Sequence, residues 1–189
     1  GGELRSTERD YLSIVNSNLG GTKTDRSVIR STKLSTDIAE DGSMINTLSY
    51  TVKNPLPNSP GLTNKSFVRV YVPKGSTLIS SEGFNNDVQL PRLESEGYIL
   101  DEQVQEWQKD LSQDINTGTY TGTEAGKTWF GNWLETAGGQ TKTVTITYNL
   151  PFKLGSIDRH SLLIQKQPGS QVGSLEYNVS FNGRSSLWK

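Results

Sequence analysis

Residues 141–151, Thr-Lys-Thr-Val-Thr-Ile-Thr-Tyr-Asn-Leu-Pro, decide the fold class of this chain. Its larger apolar residues recur at every second position, at Val144, Ile146, Tyr148 and Leu150. Successive side chains of a β-strand point to opposite faces, so this period of two predicts a strand with one face in a core and a Thr-rich face in water. Pro151 ends the strand because proline cannot donate a ladder hydrogen bond.

Composition favours one-sided strands throughout the chain. Only 32% of the residues are hydrophobic and the mean hydropathy is −0.57. A chain of 189 residues can still bury a core if its apolar side chains are concentrated on one face of each strand. The core could belong to one large β domain or to two small ones that share an interface, and we favour one domain.

The clearest hairpin has its arms at residues 27–39 and 44–53, with Asp41 and Gly42 between them. Asp-Gly is a preferred dipeptide of the type I′ turn, in which both central residues have a positive φ. We therefore predict a type I′ turn here. Further strands are predicted at residues 10–16, 66–72, 127–136, 161–167, 174–181 and 185–189. Residues 77–80 could be a short continuation of the strand at 66–72, and Asn182-Gly183 is a predicted turn between the last two strands. We predict irregular structure at 82–91 and in the Thr/Gly-rich residues 116–123.

Residues 100–115 break the strand pattern. Their apolar residues are spaced by four, three, four and four positions, and polar residues fill the intervals: Leu100, Val104, Trp107, Leu111 and Ile115. This spacing is typical of one apolar stripe on an amphipathic helix. We predict one short helix near residues 101–115.

Many short strands with turn signals between them predict an all-β protein. We expect a β-sandwich of Ig-like or jelly-roll-like antiparallel sheets, with the one helix as an addition. Residues 1–9 are polar and are predicted to be a linker, and residues 10–189 a single β-sandwich domain. The chain looks like an excised piece of a longer protein.

Charge and residue usage exclude several classes of function. The 19 basic and 20 acidic residues are well mixed and the net charge is −1, so we expect no nucleic-acid partner. The absence of cysteine excludes disulfides, Cys-ligated zinc, iron–sulfur clusters and thiol catalysis. With a single histidine, a zinc site of two or three His ligands is also excluded. We expect no metal and no cofactor, and no apolar run approaches the roughly 18 residues of a membrane span.

Two local motifs suggest chemistry but have simpler interpretations. Residues 122–128, Gly-Thr-Glu-Ala-Gly-Lys-Thr, have only three residues between the glycines and precede a strand, whereas a phosphate-binding loop has four and precedes a helix. We predict a turn into a strand there. His160 lies beside Asp158 and Ser161, but no nucleophile-elbow motif is present, so we expect a surface histidine. The oxygen-rich clusters at 37–41 and 85–87 are the best candidates for calcium, but neither matches an EF-hand loop, so we interpret them as solvated turns.

Trp129 and Trp133 are the candidate ligand-binding residues. In a strand they share one face across Gly131, and Phe130 and Leu134 share the other, so that one pair can be core while the other is exposed. Two exposed indoles on a flat sheet would suit the stacking of sugar rings. The alternative is that both tryptophans are buried, with Gly131 at a bulge or a close contact.

Several stretches together resemble the C-terminal part of a bacterial family known as domain of unknown function 4012. The similar stretches lie in order across residues 10–170, at 10–25, 41–42, 67–76, 126–133, 148–151 and 165–169. The motif positions of the resemblance, interpreted as turn and packing residues, are Lys23, Asp25, Tyr71, Pro73, Gln167, Pro168 and Gly169.

The resemblance implies a bacterial protein whose bulk lies outside the cell and which is attached to the membrane through a segment absent from this chain. It implies no catalytic residues. We therefore expect a non-catalytic structural or binding module of the cell envelope, in contact with cell-wall polysaccharide or a surface protein. The alternatives are a carboxylate-based hydrolase of cell-wall glycans and a spacer or protein–protein interaction domain.

Overall fold

A computed structural model of the chain describes residues 3–19, 23–87, 99, 101–155, 159–171, 173–181 and 184–188. Within them the chain is almost entirely β-structure. The strands are β1 (Asp10–Asn18), β2 (Ile29–Ile38), β3 (Met44–Lys53), β4 (Asn64–Pro73), β5 (Thr77–Glu82), β6 (Ser112–Gln113), β7 (Tyr120–Glu124), β8 (Lys127–Thr136), β9 (Thr141–Asn149), β10 (Leu162–Lys166), β11 (Ser174–Phe181) and β12 (Arg184–Trp188). The helical segments are α1 (Glu102–Gln108) and two 3-10 turns, Thr24–Arg26 and Pro60–Leu62.

The strands form two six-stranded sheets that pack as a β-sandwich, as the sequence predicts. The first sheet has the order β10-β1-β4-β8-β7-β6, and the second has the order β12-β11-β2-β3-β9-β5. The sheets are mixed rather than antiparallel throughout, because β1 pairs with β10 in parallel and β2 pairs with β11 in parallel. Both parallel pairs lie on the same side of the sandwich, where strands from the end of the chain join strands from its beginning.

Strand β9 has the faces that its sequence predicts. Val144, Ile146 and Tyr148 are at most 1% exposed, and Leu150 is 8% exposed. They belong to the core between the sheets, to which β3 and β4 also contribute every second side chain. Thr143 and Thr51 meet on the outer face of the second sheet, where their hydroxyl oxygens are 2.7 Å apart. The alternation of apolar and polar residues therefore places the core correctly.

The hairpin of β2 and β3 is confirmed, but its turn is not of type I′. Only Gly42 has a positive φ, 80°, and Asp41 does not. The Gly42 N–H donates to Ala39 O at 2.9 Å, and the Ala39 N–H donates to Ser43 O at 2.9 Å. This is the pattern of a turn followed by one residue in the left-handed region. Two consecutive positive φ values occur instead at Ala125 and Gly126, between β7 and β8.

The predicted turn into a strand at residues 122–128 is confirmed, because β7 and β8 form a hairpin in which Glu124 pairs with Lys127. Three other segments differ from the predictions. Residues 77–80 belong to β5, which pairs with β9 in the second sheet and does not continue β4. Residues 120–123 lie in β7, where we predicted irregular structure. Helix α1 ends at Gln108, well before residue 115, and is followed by the short strand β6.

Candidate functional site

The outer face of the first sheet carries a second apolar cluster, separate from the core between the sheets. In β8 the strand alternation places Phe130 and Leu134 in the core and Trp129 and Trp133 on this outer face. The cluster has buried members Tyr11, Tyr71 and Trp129, against which the partly buried Leu4, Val15, Phe67, Tyr120 and Leu163 pack. Leu4 reaches the cluster from the segment predicted to be a linker, and the Arg5 N–H donates to Gln165 Oε1 at 2.9 Å.

A cavity of about 1000 Å³ lies over this cluster. Its floor is formed by the aromatic side chains of Phe67, Tyr120, Trp129 and Trp133. Its other side is lined by Val104, Glu106, Lys109, Asp110 and Leu111. We call this cavity the aromatic groove. The Phe67 ring is at its centre, 5.5 Å from the Trp133 ring and 6.1 Å from the Tyr120 ring between centroids. The rings of Phe67 and Trp133 meet edge to face at 81°, an arrangement that aromatic pairs prefer.

Trp129 is held between two neighbours. A Cβ atom built on Gly122 of β7 would lie 2.8 Å from the indole, so the ring packs directly on the β7 backbone. The Arg69 guanidinium carbon lies 4.8 Å from the ring centroid, a cation–π distance. As a result Trp129 is only 7% exposed. It is a packed part of the floor, which differs from the exposed indole that sugar stacking would need.

Trp133 is similarly packed, with 8% exposure. The Asn85 N–H donates to Trp133 O at 2.8 Å, and Asn85 Oδ1 accepts from the Glu135 N–H at 2.8 Å, so the segment after β5 fixes this end of β8. Both tryptophans are therefore buried, which is the alternative to a pair of exposed, sugar-stacking indoles. Their packing leaves the half-buried rings of Phe67 and Tyr120 as the more accessible aromatic surface of the groove.

The charged side chains that line the groove contact neighbouring polar or charged side chains. Glu124 Oε2 accepts from Arg69 Nη1 at 3.2 Å and from the Tyr71 hydroxyl at 2.7 Å. Burial, together with this hydrogen bond to Glu124, raises the pKa of Tyr71 to about 12. Asp110 Oδ2 accepts from the Thr123 hydroxyl at 2.8 Å. Lys109 pairs with Glu106 one turn away on the other wall.

The wall opposite the floor contains two residues of the apolar stripe predicted at 100–115, Val104 and Leu111, whereas Ile115 is 94% exposed. Asp101 caps α1 by accepting from the backbone N–H of Gln103 at 2.8 Å and of Val104 at 3.2 Å. Val104 and Leu111 line the groove and are 38% and 41% exposed. Val104 of α1 and Leu111 after it therefore line the cavity without closing onto the sheet.

The motif positions near the beginning and end of the chain have structural roles. Lys23, with a φ of 52°, precedes the 3-10 turn Thr24–Arg26, and the Asp25 carboxylate pairs with Arg30. Pro168 and Gly169 lie in a turn closed by a hydrogen bond from Ser170 N–H to Gln167 O, and Gly169 has a φ of 78°. Proline followed by a glycine with positive φ is the preference of a type II turn.

Three further motif positions connect strands. Gln167 makes two hydrogen bonds with the backbone of Asn16, accepting from its N–H at 2.9 Å and donating to its carbonyl at 3.2 Å. Pro73 ends β4, and its carbonyl accepts from Ser76 N–H at 3.1 Å. Tyr71 joins β4 to β7 through Glu124. These contacts place the motif residues in turns and packing positions.

A buried polar network at one end of the sandwich was not foreseen from the sequence. Asp10 is fully buried, and its carboxylate accepts from the Tyr11 N–H at 2.7 Å and from Asn46 Nδ2 at 2.9 Å. His160 Nε2 lies 3.4 Å from Asp10 Oδ2, and Nδ1 is 3.0 Å from the Tyr177 hydroxyl. The prediction of a surface histidine is therefore wrong, because the His160 side chain is only 7% exposed. Asp158 lies outside the described residues.

Among the residues that the structure describes, no group of three or more His, Cys, Asp or Glu side chains is arranged to hold a metal ion. The sequence identified Trp129 and Trp133, but it missed Phe67, Arg69 and Tyr120. The three missed residues lie on β4 and β7, and only the pairing of those strands with β8 brings them to the tryptophans.

Comparisons with known proteins give no family assignment. No protein-family model and no curated protein matches the sequence. Among solved structures, the chain is similar to the M1 zinc metallopeptidase from Deinococcus radiodurans and to a mutant of that enzyme bound to a Tyr-ser-ala substrate, each with a TM-score of 0.34 and 11% identity. The match covers 82% of this chain and 32% of each metallopeptidase chain. A TM-score this low assigns neither a fold nor an activity.

In the described part of the chain, no helix has the length and hydrophobicity that crossing a bilayer requires.

Proposed function

We propose that this protein is a non-catalytic binding module of the bacterial cell envelope and that the aromatic groove is its contact surface for cell-wall glycan chains. The observation that carries the proposal is a cavity of about 1000 Å³ with four aromatic side chains in its floor. Binding sites are typically concave and mostly apolar, with a few placed polar groups. Sugar rings present apolar C–H faces to aromatic rings and hydroxyl groups to a polar rim.

The polar groups of the groove favour an uncharged, hydroxyl-rich ligand. Arg69 pairs with Glu124 and Lys109 pairs with Glu106, while Asp110 accepts a hydrogen bond from the Thr123 hydroxyl. Arg69 Nε is a buried donor without a hydrogen-bond partner among the described residues. A sugar hydroxyl could accept from this donor with a small shift of the guanidinium.

The location outside a bacterial cell, and attachment to the membrane through a segment absent from this chain, follow from the resemblance to domain of unknown function 4012 alone. A module at that location would lie next to cell-wall polysaccharide, an abundant polymer outside the cell. A role in adhesion or in contact with the wall is consistent with a groove that holds its charges in internal pairs.

The glycan-hydrolase alternative requires two carboxyl groups free to act on a glycosidic bond. In the groove, Glu124 accepts hydrogen bonds from Arg69 and Tyr71, and Asp110 accepts one from Thr123. Glu124 thus links β7 to β4, and Asp110 links the far wall to β7, so both carboxylates have structural partners, which favours binding over hydrolysis.

A protein-contact role is favoured by a different surface. Phe181, Leu187 and Trp188 on β11 and β12 are 46%, 53% and 55% exposed at the edge of the second sheet. Exposed apolar side chains on an edge strand are typical of interaction sites.

Co-sedimentation with insoluble cell-wall polysaccharide tests the proposal. We expect wild-type protein to sediment, Tyr120→Ala and Trp133→Ala to lose at least fivefold in bound fraction, and Trp188→Ala to match the wild type. Circular dichroism controls for folding, and the supernatant is assayed for new reducing ends. Loss of binding only in Trp188→Ala would show that the glycan binds at the sheet edge and not in the groove. Release of reducing ends would show that the protein hydrolyses the glycan.

A further inference from the structure

A second cavity, of about 210 Å³, opens between the two sheets at the side where β10 faces β2 and β11. Apolar side chains from both sheets line its base: Leu12, Ile14, Ile164 and Leu175. Ile164 and Leu175 are 38% and 36% exposed, although the strand alternation directs them toward the interior. The sandwich is thus incompletely closed along this side. We call this cavity the seam pocket.

Arg30 of β2 lines the seam pocket, and its side chain is only 9% exposed. Nη2 of its guanidinium pairs with Asp25. Nε is buried and has no hydrogen-bond partner among the described residues. A buried donor without a partner is unfavourable, so an acceptor at this position would stabilise the protein.

The polar groups around Arg30 are already fixed in place. The Tyr50 hydroxyl donates to Asn16 Oδ1 at 2.9 Å, and Gln167 holds the backbone of Asn16 from both sides. Burial is the main cause of a raised pKa at Tyr50. These side chains form a rim whose polar groups hydrogen-bond to one another.

The charge of the pocket is one-sided. Arg30 and Lys166 are the charged residues among its described lining, and no Asp or Glu belongs to that lining. Asp25 neutralises part of the Arg30 charge from outside the cavity. An anionic group in the pocket would therefore meet two cations, an apolar base and a donor in need of an acceptor.

We propose that the seam pocket binds a small organic carboxylate with an apolar body, the carboxylate accepting from Arg30 and the body contacting Ile164 and Leu175. Arginine is suited to this role because its planar, permanently charged guanidinium matches a carboxylate. The volume is below the roughly 300–1,000 Å³ of pockets for drug-sized ligands, so the fitting ligand is of fragment size. This site is separate from the aromatic groove, and the proposal is independent of glycan binding.

Nuclear magnetic resonance titration of the arginine Nε–H signals tests the proposal on the wild-type protein. The probes are phenylacetate and its neutral analogue phenylacetamide. We expect a saturable shift of the Arg30 Nε–H signal with phenylacetate and at least tenfold weaker binding of phenylacetamide. Absence of a saturable shift, or equal affinity for acid and amide, would overturn the proposal.

Two variants and one control variant test where phenylacetate binds. Arg30→Gln should lose at least tenfold in affinity for phenylacetate, whereas Lys33→Gln, which alters an exposed lysine on the same strand, should bind as the wild type does. Leu175→Trp fills the pocket while leaving Arg30 in place, so it should also lose affinity for phenylacetate. It keeps the test decisive if the Arg30→Gln protein does not fold. Undiminished affinity in a folded Arg30→Gln or Leu175→Trp protein would place the ligand elsewhere.

The carboxylate could come from a free acid or from the carboxyl terminus of a peptide. A short Gly/Ser peptide that ends in phenylalanine, with a free or an amidated terminus, separates these sources. Binding of the free-terminus peptide with the same Arg30 shift supports a polypeptide ligand. Binding of phenylacetate alone supports a small acid, and binding of neither probe would contradict the site.

Discussion

The guanidinium carbon of Arg69 lies 4.8 Å from the centroid of the Trp129 ring, and the same guanidinium donates to Glu124 at 3.2 Å. The arginine thus reaches from β4 across the indole of β8 to an acid of β7. Trp129 is covered on its outer side and is a packed part of the groove floor. The surface available to a ligand is therefore a groove bounded by several strands and α1, rather than a flat pair of indoles.

Replacement of Arg69 by alanine should destabilise the protein by about 1–2 kcal/mol, because it removes a partly buried cation–π contact and the partner of Glu124. Urea unfolding would measure this change. Lys65→Ala is the matched control on the same strand, since Lys65 pairs with Glu135 at 3.1 Å on the surface and should cost less than about 1 kcal/mol. Equal effects of the two substitutions would contradict the role of Arg69.

Replacement of Gly122 by alanine should destabilise the protein by about 1–3 kcal/mol, the usual cost of overpacking. The new Cβ would lie 2.8 Å from the Trp129 indole, so the ring must move. Gly61→Ala is the control, because nothing lies within 4 Å of a Cβ at that position. Thermal unfolding with tryptophan fluorescence reports both stability and the position of the ring. An unchanged midpoint for Gly122→Ala would mean that Trp129 does not pack on β7.

Replacement of Asp10 by alanine should cost about 3 kcal/mol, since it leaves buried donors without their acceptor. Those donors are the Tyr11 N–H and Asn46 Nδ2. Denaturant unfolding compares this variant with Glu40→Ala, an exposed acid between β2 and β3 that should change stability by less than about 0.5 kcal/mol. A loss below about 1 kcal/mol for Asp10→Ala would show that the network contributes little to stability.

Alkaline pH should destabilise the fold. Burial raises the pKa of Tyr71 and of Tyr177 to about 12 in each case, whereas an unfolded tyrosine has a pKa of about 10. Above pH ~10 the unfolded chain releases these protons first, so stability that is complete below pH ~10 is lost as the pH rises toward 12. Burial lowers the pKa of Lys127. This shift makes stability rise with pH, opposite to the effect of the tyrosines, but it concerns one group.

Urea midpoints at pH ~8.5 and pH ~11.5 measure this effect on either side of the unfolded tyrosine pKa. The wild type should be clearly less stable at the higher pH. The double variant Tyr71→Phe/Tyr177→Phe should lose less stability over the same interval, because two of the shifted groups are gone. Equal losses in the two proteins would show that these tyrosines do not carry the pH dependence.

The fold could be predicted from the sequence wherever one face of a strand is apolar. β9 and β8 were located in this way, because Val144, Ile146 and Phe130 mark their buried faces. The parallel pairing of β1 with β10 could not be predicted, since pairing between distant segments leaves no local pattern in the sequence. β7 was missed because its Thr- and Gly-rich sequence looks like a loop, and Gly122 is required there by the contact with Trp129.

The candidate site could be predicted only in part. Trp129 and Trp133 were found because they stand in one strand at a spacing of four. Phe67 and Tyr120 come from other strands, and their place beside the tryptophans depends on strand register. The seam pocket was not predicted, since nothing near Arg30 in the sequence indicates that its side chain is buried between two sheets.

Titration of methyl-labelled protein with a soluble fragment of cell-wall glycan tests the central claim most directly. Glycan binding in the aromatic groove predicts saturable shifts of the Val104 and Leu111 methyl signals, which line the groove, and unchanged signals from Val144 and Ile146 in the core. Saturable shifts confined to Leu187 at the sheet edge, or no shift at any methyl group, would contradict the groove as the glycan-binding surface.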